Sequence, residues 1–275
     1  MLKRILVALS GTPFTPIAVR WAVDLAQKHG ASVTGVTVVD TERLSDVGAV
    51  PIGGSAAAHA LGEHRLAVTQ ERIEEEIAGF EDACTEASVE YVVDRESGDP
   101  FQLLVGLSRY HDLTIIGLRG LFEYGVVHNP DDQVIQLTHH GVRPIIAVSP
   151  EYHPVNRVLV AYSGSMESAM AMKGFAELAL WPEAAVKVVC FGFEDSEARP
   201  LLADASAYLR AQGYEPEAES LPGSAKQGLL AYAQEWKADL VVMGCTSRGR
   251  IAKLILGGTS EEVLIHAGVP LFLSQ

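Results

Sequence analysis

The chain has 275 residues, 48% of them hydrophobic, which is enough apolar material for two cores of ordinary size. Its formal net charge of −14 repels phosphate backbones and anionic lipid surfaces, which argues against nucleic acid and membrane as partners. Three scattered cysteines, Cys84, Cys190 and Cys245, fit neither a disulfide framework nor a CxxC metal pair and point to a reducing compartment.

The first predicted element is a strand at residues 5–9, a short continuous apolar run of the kind buried on both faces of a parallel sheet. The basic residues before it resemble the start of a leader, but the run is too short and breaks at Gly11 and Pro13. With no apolar stretch long enough to span a bilayer, the sequence is read as cytoplasmic. Ile17, Trp21, Val23, Leu25 and Ala26 follow at roughly helical spacing, and His29-Gly30 is a helix stop. A second strand is expected at 33–39. Residues 41–65, rich in Gly, Ala and Ser, are read as a mobile surface loop, and a charged helix is expected at 65–86. Strands at 89–93, 113–117 and 145–148, with helices at 101–110 and 133–139 between them, complete a five-strand set.

The chain then says nearly the same thing again. Lys3-Arg4-Ile5-Leu6-Val7-Ala8-Leu9-Ser10-Gly11 returns as Asn156-Arg157-Val158-Leu159-Val160-Ala161-Tyr162-Ser163-Gly164, and Asp112-Leu113-Thr114-Ile115-Ile116-Gly117 as Asp239-Leu240-Val241-Val242-Met243-Gly244. A repeat this long is a whole domain, not a solenoid unit. The reading is therefore two tandem α/β domains, residues 1–150 and 155–275, each a doubly wound five-stranded parallel sheet, joined through a proline-flanked linker at 150–154. Second-half strands are expected near 157–162, 185–191, 216–220, 239–244 and 270–274.

Open α/β sheets bind ligands at the carboxyl ends of their strands, where the strand order reverses. In the second half two such ends carry loop chemistry: Ser163-Gly164-Ser165-Met166-Glu167-Ser168, and Gly244-Cys245-Thr246-Ser247-Arg248-Gly249-Arg250, the latter leading to Gly257-Gly258-Thr259-Ser260 at a helix start. Glycine backbones and a helix N-terminus suit a nucleotide phosphate chain, with Arg248, Arg250 and Lys253 as counter-charge. The same glycines equally make a tight turn, Thr259 and Glu262 read as a capping box, and Glu261 with Glu262 would oppose an anion.

These residues, with the run Leu254-Ile255-Leu256-Gly257-Gly258-Thr259 and the endings His140-Gly141-Val142-Arg143-Pro144 and His266-Ala267-Gly268-Val269-Pro270, resemble a tandem universal stress protein over both halves. The resemblance implies a Rossmann-like fold of the adenine nucleotide alpha hydrolase-like type. It also implies ATP binding through G-x2-G-x9-G-(S/T) and an aspartate after the first strand. The second half keeps Gly244 and Gly257 at the right separation. Ser247 stands for the second glycine, Gly258 is at the Ser/Thr position with Thr259 one place later, and Ser163 replaces the aspartate. The candidate nucleotide site is thus Ser163, Gly244, Ser247, Arg248, Gly249, Gly257, Gly258 and Thr259, for ATP with or without magnesium. In the first half Ser10 replaces the aspartate and Pro130-Asp131-Asp132 stand where later glycines belong, so that half is expected to be silent.

No catalytic residue and no metal site is assigned. His140 and His266 fall in predicted last helical turns and read as structural, and His139-His140 is too few ligands for zinc. Cys245 is read as a small buried thiol, with a redox sensor as the alternative. Glu71, Glu74, Glu75 and Glu76 read as a solvated helix face, and Trp21, Trp181 and Trp236 as packing residues. The family also implies that the last strands, 145–148 and 271–274, pair within the chain as a pseudo-dimer, with a homodimer of chains left open. The leading function is a stress-response binding protein. The alternatives are an interaction module without nucleotide and, from the 163–168 loop, an ATP pyrophosphatase-type enzyme.

Overall fold

A computed structural model of the chain describes residues 2–39, 54–118, 122, 137, 144–245 and 259–274. The first half contributes β1 (Arg4–Ala8), α1 (Thr15–His29), β2 (Ser32–Val39), α2 (Ser55–Glu86), β3 (Tyr91–Ser97), α3 (Pro100–Ser108), β4 (Leu113–Gly117) and β5 (Ile145–Val148). The second contributes β6 (Arg157–Ala161), α4 (Met166–Leu178), β7 (Ala185–Phe191), α5 (Asp195–Ala211), β8 (Glu217–Leu221), α6 (Ala225–Glu235), β9 (Leu240–Gly244), α7 (Thr259–His266) and β10 (Leu271–Ser274). The helix expected at 133–139 lies outside the described residues except for Leu137, which is helical and buried.

The strands form one ten-stranded sheet in the order β3-β2-β1-β4-β5-β10-β9-β6-β7-β8. Each half is parallel, and the halves meet through an antiparallel pairing in which Phe272 faces Ile146. The expected pairing of last strands is therefore present. It removes two sheet edges from solvent, leaving β3 and β8 as the outer strands, both bearing charged side chains that discourage further pairing. Trp21 packs edge-on against Trp181 with ring centroids 5.4 Å apart, and Lys28 pairs with Glu183 nearby, so α1 also touches the second half directly.

The repeated aspartates have a clear structural role. Asp112 accepts hydrogen bonds from the backbone N–H groups of Lys3 and Arg4 at 2.7 and 2.9 Å, and Asp239 does the same for Asn156 and Arg157 at 2.8 and 2.9 Å. Each carboxylate thus fixes the start of one central strand against its neighbour, a charge-assisted bond that recurs because the halves share one architecture.

Two expectations need correction. Helix α2 begins at Ser55, so residues 55–64 belong to it and not to a mobile loop. Alanine-rich sequence forms helix without showing apolar periodicity. Strand β3 runs to Ser97 instead of ending at 93, because an outer strand, less covered than the central ones, tolerates Asp94, Arg95 and Glu96. The acidic run on α2 is also more than a solvated face: Glu74 forms a two-pronged pair with Arg95, and Glu76 is half-buried.

Candidate functional site

The strand order reverses between β6 and β9 in the second half, and a cavity of about 290 Å³ opens there at the carboxyl ends of the strands. Its hydroxyl side is built by Tyr162, Ser163, Ser165, Ser168 and Thr259. Its apolar side comes from Val189, Phe191, Phe193, Leu229 and Met243. None of the described lining residues carries a formal charge.

The loop after β6 is held by a hydroxyl network. Ser165 is the N-cap of α4, its side chain accepting the N–H of Ser168 at 3.2 Å. Ser168 is buried at the centre: its Oγ donates to the Ser165 carbonyl at 2.9 Å and lies 3.3 Å from the hydroxyls of both Ser163 and Ser165. Gly164 takes φ +73°, which only a residue without Cβ adopts freely, and a Cβ there would meet Leu201 at 2.6 Å. Ser163 is left exposed on the cavity rim. Beside it, burial and then the charge of Asp204 push the Tyr162 phenol above its ordinary pKa, so it stays a neutral hydroxyl.

Gly244 has a structural reason independent of any ligand. A Cβ on it would lie 2.4 Å from the Glu167 carbonyl carbon and 2.5 Å from the Ser168 nitrogen, so the end of β9 runs against the first turn of α4. Of the residues expected at the site, Ser163, Gly244 and Thr259 are brought together on this cavity. Ser247, Arg248, Gly249, Gly257 and Gly258 lie outside the described residues. The residue before Thr259 lies outside the described residues, and with it the cap geometry read for Thr259 and Glu262. Thr259 is the first described residue of α7, and the Glu262 carboxylate lies 3.7 Å from Lys226, which offsets part of the charge expected to oppose an anion. His266 bonds the Glu262 carbonyl at 3.0 Å, the last-turn structural role expected of it. Cys245 is buried, as are Cys84 and Cys190.

Sequence reasoning missed the apolar side. Val189, Phe191 and Phe193 recur at a spacing of two, the period that sends alternate side chains to one face, and this was the available signal. Ser165 and Ser168 stood in the motif without being assigned to the site.

The first half carries the same hydroxyl pattern at Ser10, Thr12 and Thr15, with Ser10 Oγ 3.1 Å from Thr12 and 3.2 Å from Thr15. There the three are closed off, at 1%, 4% and 1% exposure. Asp131 and Asp132, on which the expected silence of this half rested, lie outside the described residues.

The model of the Universal stress protein family matches residues 1–142 and 192–274, most of the chain. The chain belongs to the universal stress protein family. A universal stress protein of Synechocystis sp. is 25% identical over 288 residues, covering 98% of both chains. In fold it is similar to a universal stress protein from Archaeoglobus fulgidus DSM 4304, with a TM-score of 0.67 at 20% identity over 99% of this chain and 98% of that one. A functionally unknown protein from Pseudomonas aeruginosa PAO1 gives a TM-score of 0.60 at 15% identity over 99% and 92%. Residues 143–191 of this universal stress protein, the Ser163 loop among them, fall between the two matched segments.

Proposed function

We propose that this universal stress protein is a cytoplasmic regulatory protein whose second half binds an adenine nucleotide, and that it acts by binding, with at most slow ATP hydrolysis. The observation that supports this most is the cavity at the switch point, whose lining combines the rings of Phe191 and Phe193 with the hydroxyls of Tyr162, Ser163, Ser165, Ser168 and Thr259. A planar base suits the rings Phe191 and Phe193, while the hydroxyls of Tyr162, Ser163 and Ser165 suit a sugar. A cavity of about 290 Å³ is of a size suited to a nucleoside. The phosphates, with any magnesium, are assigned to the segment carrying Ser247, Arg248, Gly249, Gly257 and Gly258. In this reading the buried loop at Ser10 leaves the first half silent.

A ligand at one hundred times its dissociation constant stabilises the fold by about 2.7 kcal/mol, so a melting shift of several degrees with ATP is expected. Gly258→Asp should remove it by placing a carboxylate among the phosphates. A shift of the same size in that variant would place the phosphates elsewhere.

A second reading is an interaction module without nucleotide. It is favoured by the uncharged Ser163 and by Gly244, which the packing of α4 explains without a ligand. The pyrophosphatase-type alternative gains little, because the hydroxyls of residues 163–168 are bonded to one another and to the start of α4.

A further inference from the structure

A second concavity lies in the first half, far in sequence from the nucleotide site. Helices α1 and α2 flank an open groove of about 710 Å³. Val19, Val23 and Phe80 form its floor, all three buried and apolar. On the α2 bank stand Gly79, Ala83 and Ala87, spaced four residues apart and therefore on one face of the helix. On α1 Val19, Val23 and Gln27 keep the same spacing, the two valines reaching the floor, while Gln27 donates to the Ala87 carbonyl at 3.3 Å and ties the helices together at that end of the groove. Two ridges of this kind leave between them a furrow into which the ridge of a third helix fits, and small residues on one bank let its backbone come close.

Gly79 is difficult to explain from this chain alone. It sits inside α2, where glycine weakens a helix relative to alanine, yet nothing lies within 4 Å of the position a Cβ would take. No contact within the described residues calls for its small size, whereas an external helix would.

The charge along the groove selects the partner. Glu75, Glu76 and Glu86 line it, against Arg20 as the one cation among the described lining residues, which is already seated over the ring of Tyr152 at 3.9 Å. Glu76 is half-buried with no ion-pair partner among the described residues, and burial followed by the charge of Glu75 raises its pKa. A cation supplied from outside relieves that cost. A second copy of this chain is a poor occupant, since two such acidic faces repel.

We propose that the α1–α2 groove docks a basic amphipathic helix from a partner protein. Its small and apolar residues lie along Gly79, Ala83 and Ala87, and its Lys or Arg side chains reach Glu75, Glu76 and Glu86.

The test uses the full chain and a labelled synthetic helical peptide of Lys, Leu and Ala with one apolar face, measured by fluorescence anisotropy at two salt concentrations. A scrambled peptide of identical composition and spermidine serve as competitors. The amphipathic peptide should bind in a salt-sensitive manner and outcompete both. Gly79→Leu, which fills the ridge at an exposed position, and Glu76→Lys should each weaken binding about tenfold or more. Glu215→Lys, an exposed charge reversal in the other half, should leave it unchanged, with circular dichroism verifying that all three variants are folded. Equal binding of the scrambled peptide, spermidine competing as well as the helix, or affinity indifferent to Gly79→Leu and Glu76→Lys would each overturn the proposal.

Discussion

Replacing Gly244 by alanine and Gly79 by alanine makes the same chemical change with opposite expected signs. At Gly244 the new methyl would fall 2.4 to 2.6 Å from the backbone carbon, nitrogen and oxygen of Glu167 and Ser168. Backbone at a helix start cannot rotate aside as a side chain does, so the upper part of the usual overpacking penalty applies, about 3 kcal/mol. For a domain of this size that corresponds to a fall in Tm of roughly 6–12 °C. At Gly79 the methyl enters open space in an exposed helix, and the gain in helix propensity is about 1 kcal/mol, or roughly 2–4 °C upward. Thermal and urea unfolding followed by circular dichroism would measure both. A Gly244→Ala protein melting within about 1 °C of the parent would refute the steric account, because a displacement that small means the α4 turn gives way freely.

Three further outcomes are expected. Phe272 is fully buried on β10 and stacks edge-on with Phe175 at 6.0 Å, so Phe272→Ala should cost about 3–5 kcal/mol, and because β10 pairs with β5 the loss should appear in one shared urea transition. Two separated transitions with the first half unaffected would mean the halves unfold independently. His111 is held neutral chiefly by burial, with Arg4 adding to this, against the Leu107 carbonyl, Asp94 and Asp112. Its folded pKa is lowered, so the unfolded chain takes up the proton first, and stability should fall as pH drops below about 6.5. The slope should be shallower in His111→Gln, and an identical slope in parent and variant would exclude His111 as its source. Burial pushes the Cys84 thiol up to about 11, so the unfolded thiol ionises first and stability should decline between about pH 9 and 11. Urea midpoints of parent and Cys84→Ala should converge over that window, and a constant difference between them would contradict the buried-thiol reading.

Much of the fold is legible in the sequence because its central strands are continuous apolar runs, such as Ile5 to Leu9 and Leu240 to Met243, buried on both faces and flanked by turn residues. The repeat carries the topology as well, since Asp112 and Asp239 each pin one central strand in the same way. What was not legible lacks that pattern. The first ten residues of α2 are rich in alanine, which promotes helix without marking a face. The charged half of β3 is tolerated only because the strand is at the sheet's edge, which is a fact of tertiary structure. At the site, the serine loop could be read from its spacing, but Phe191 and Phe193 are ordinary apolar residues until the fold brings them to the same cavity as the hydroxyls. Gly244 is the converse case: its motif suggests a ligand, and its close approach to the first turn of α4 supplies a packing reason.

The most direct test of the central claim is a calorimetric titration of the full chain with ATP and Mg²⁺, reading stoichiometry beside affinity. The account predicts one site per chain, abolished by Gly258→Asp and unaffected by changes at Ser10. Two sites would contradict the assignment of a silent first half, and no heat together with no melting shift would contradict nucleotide binding itself.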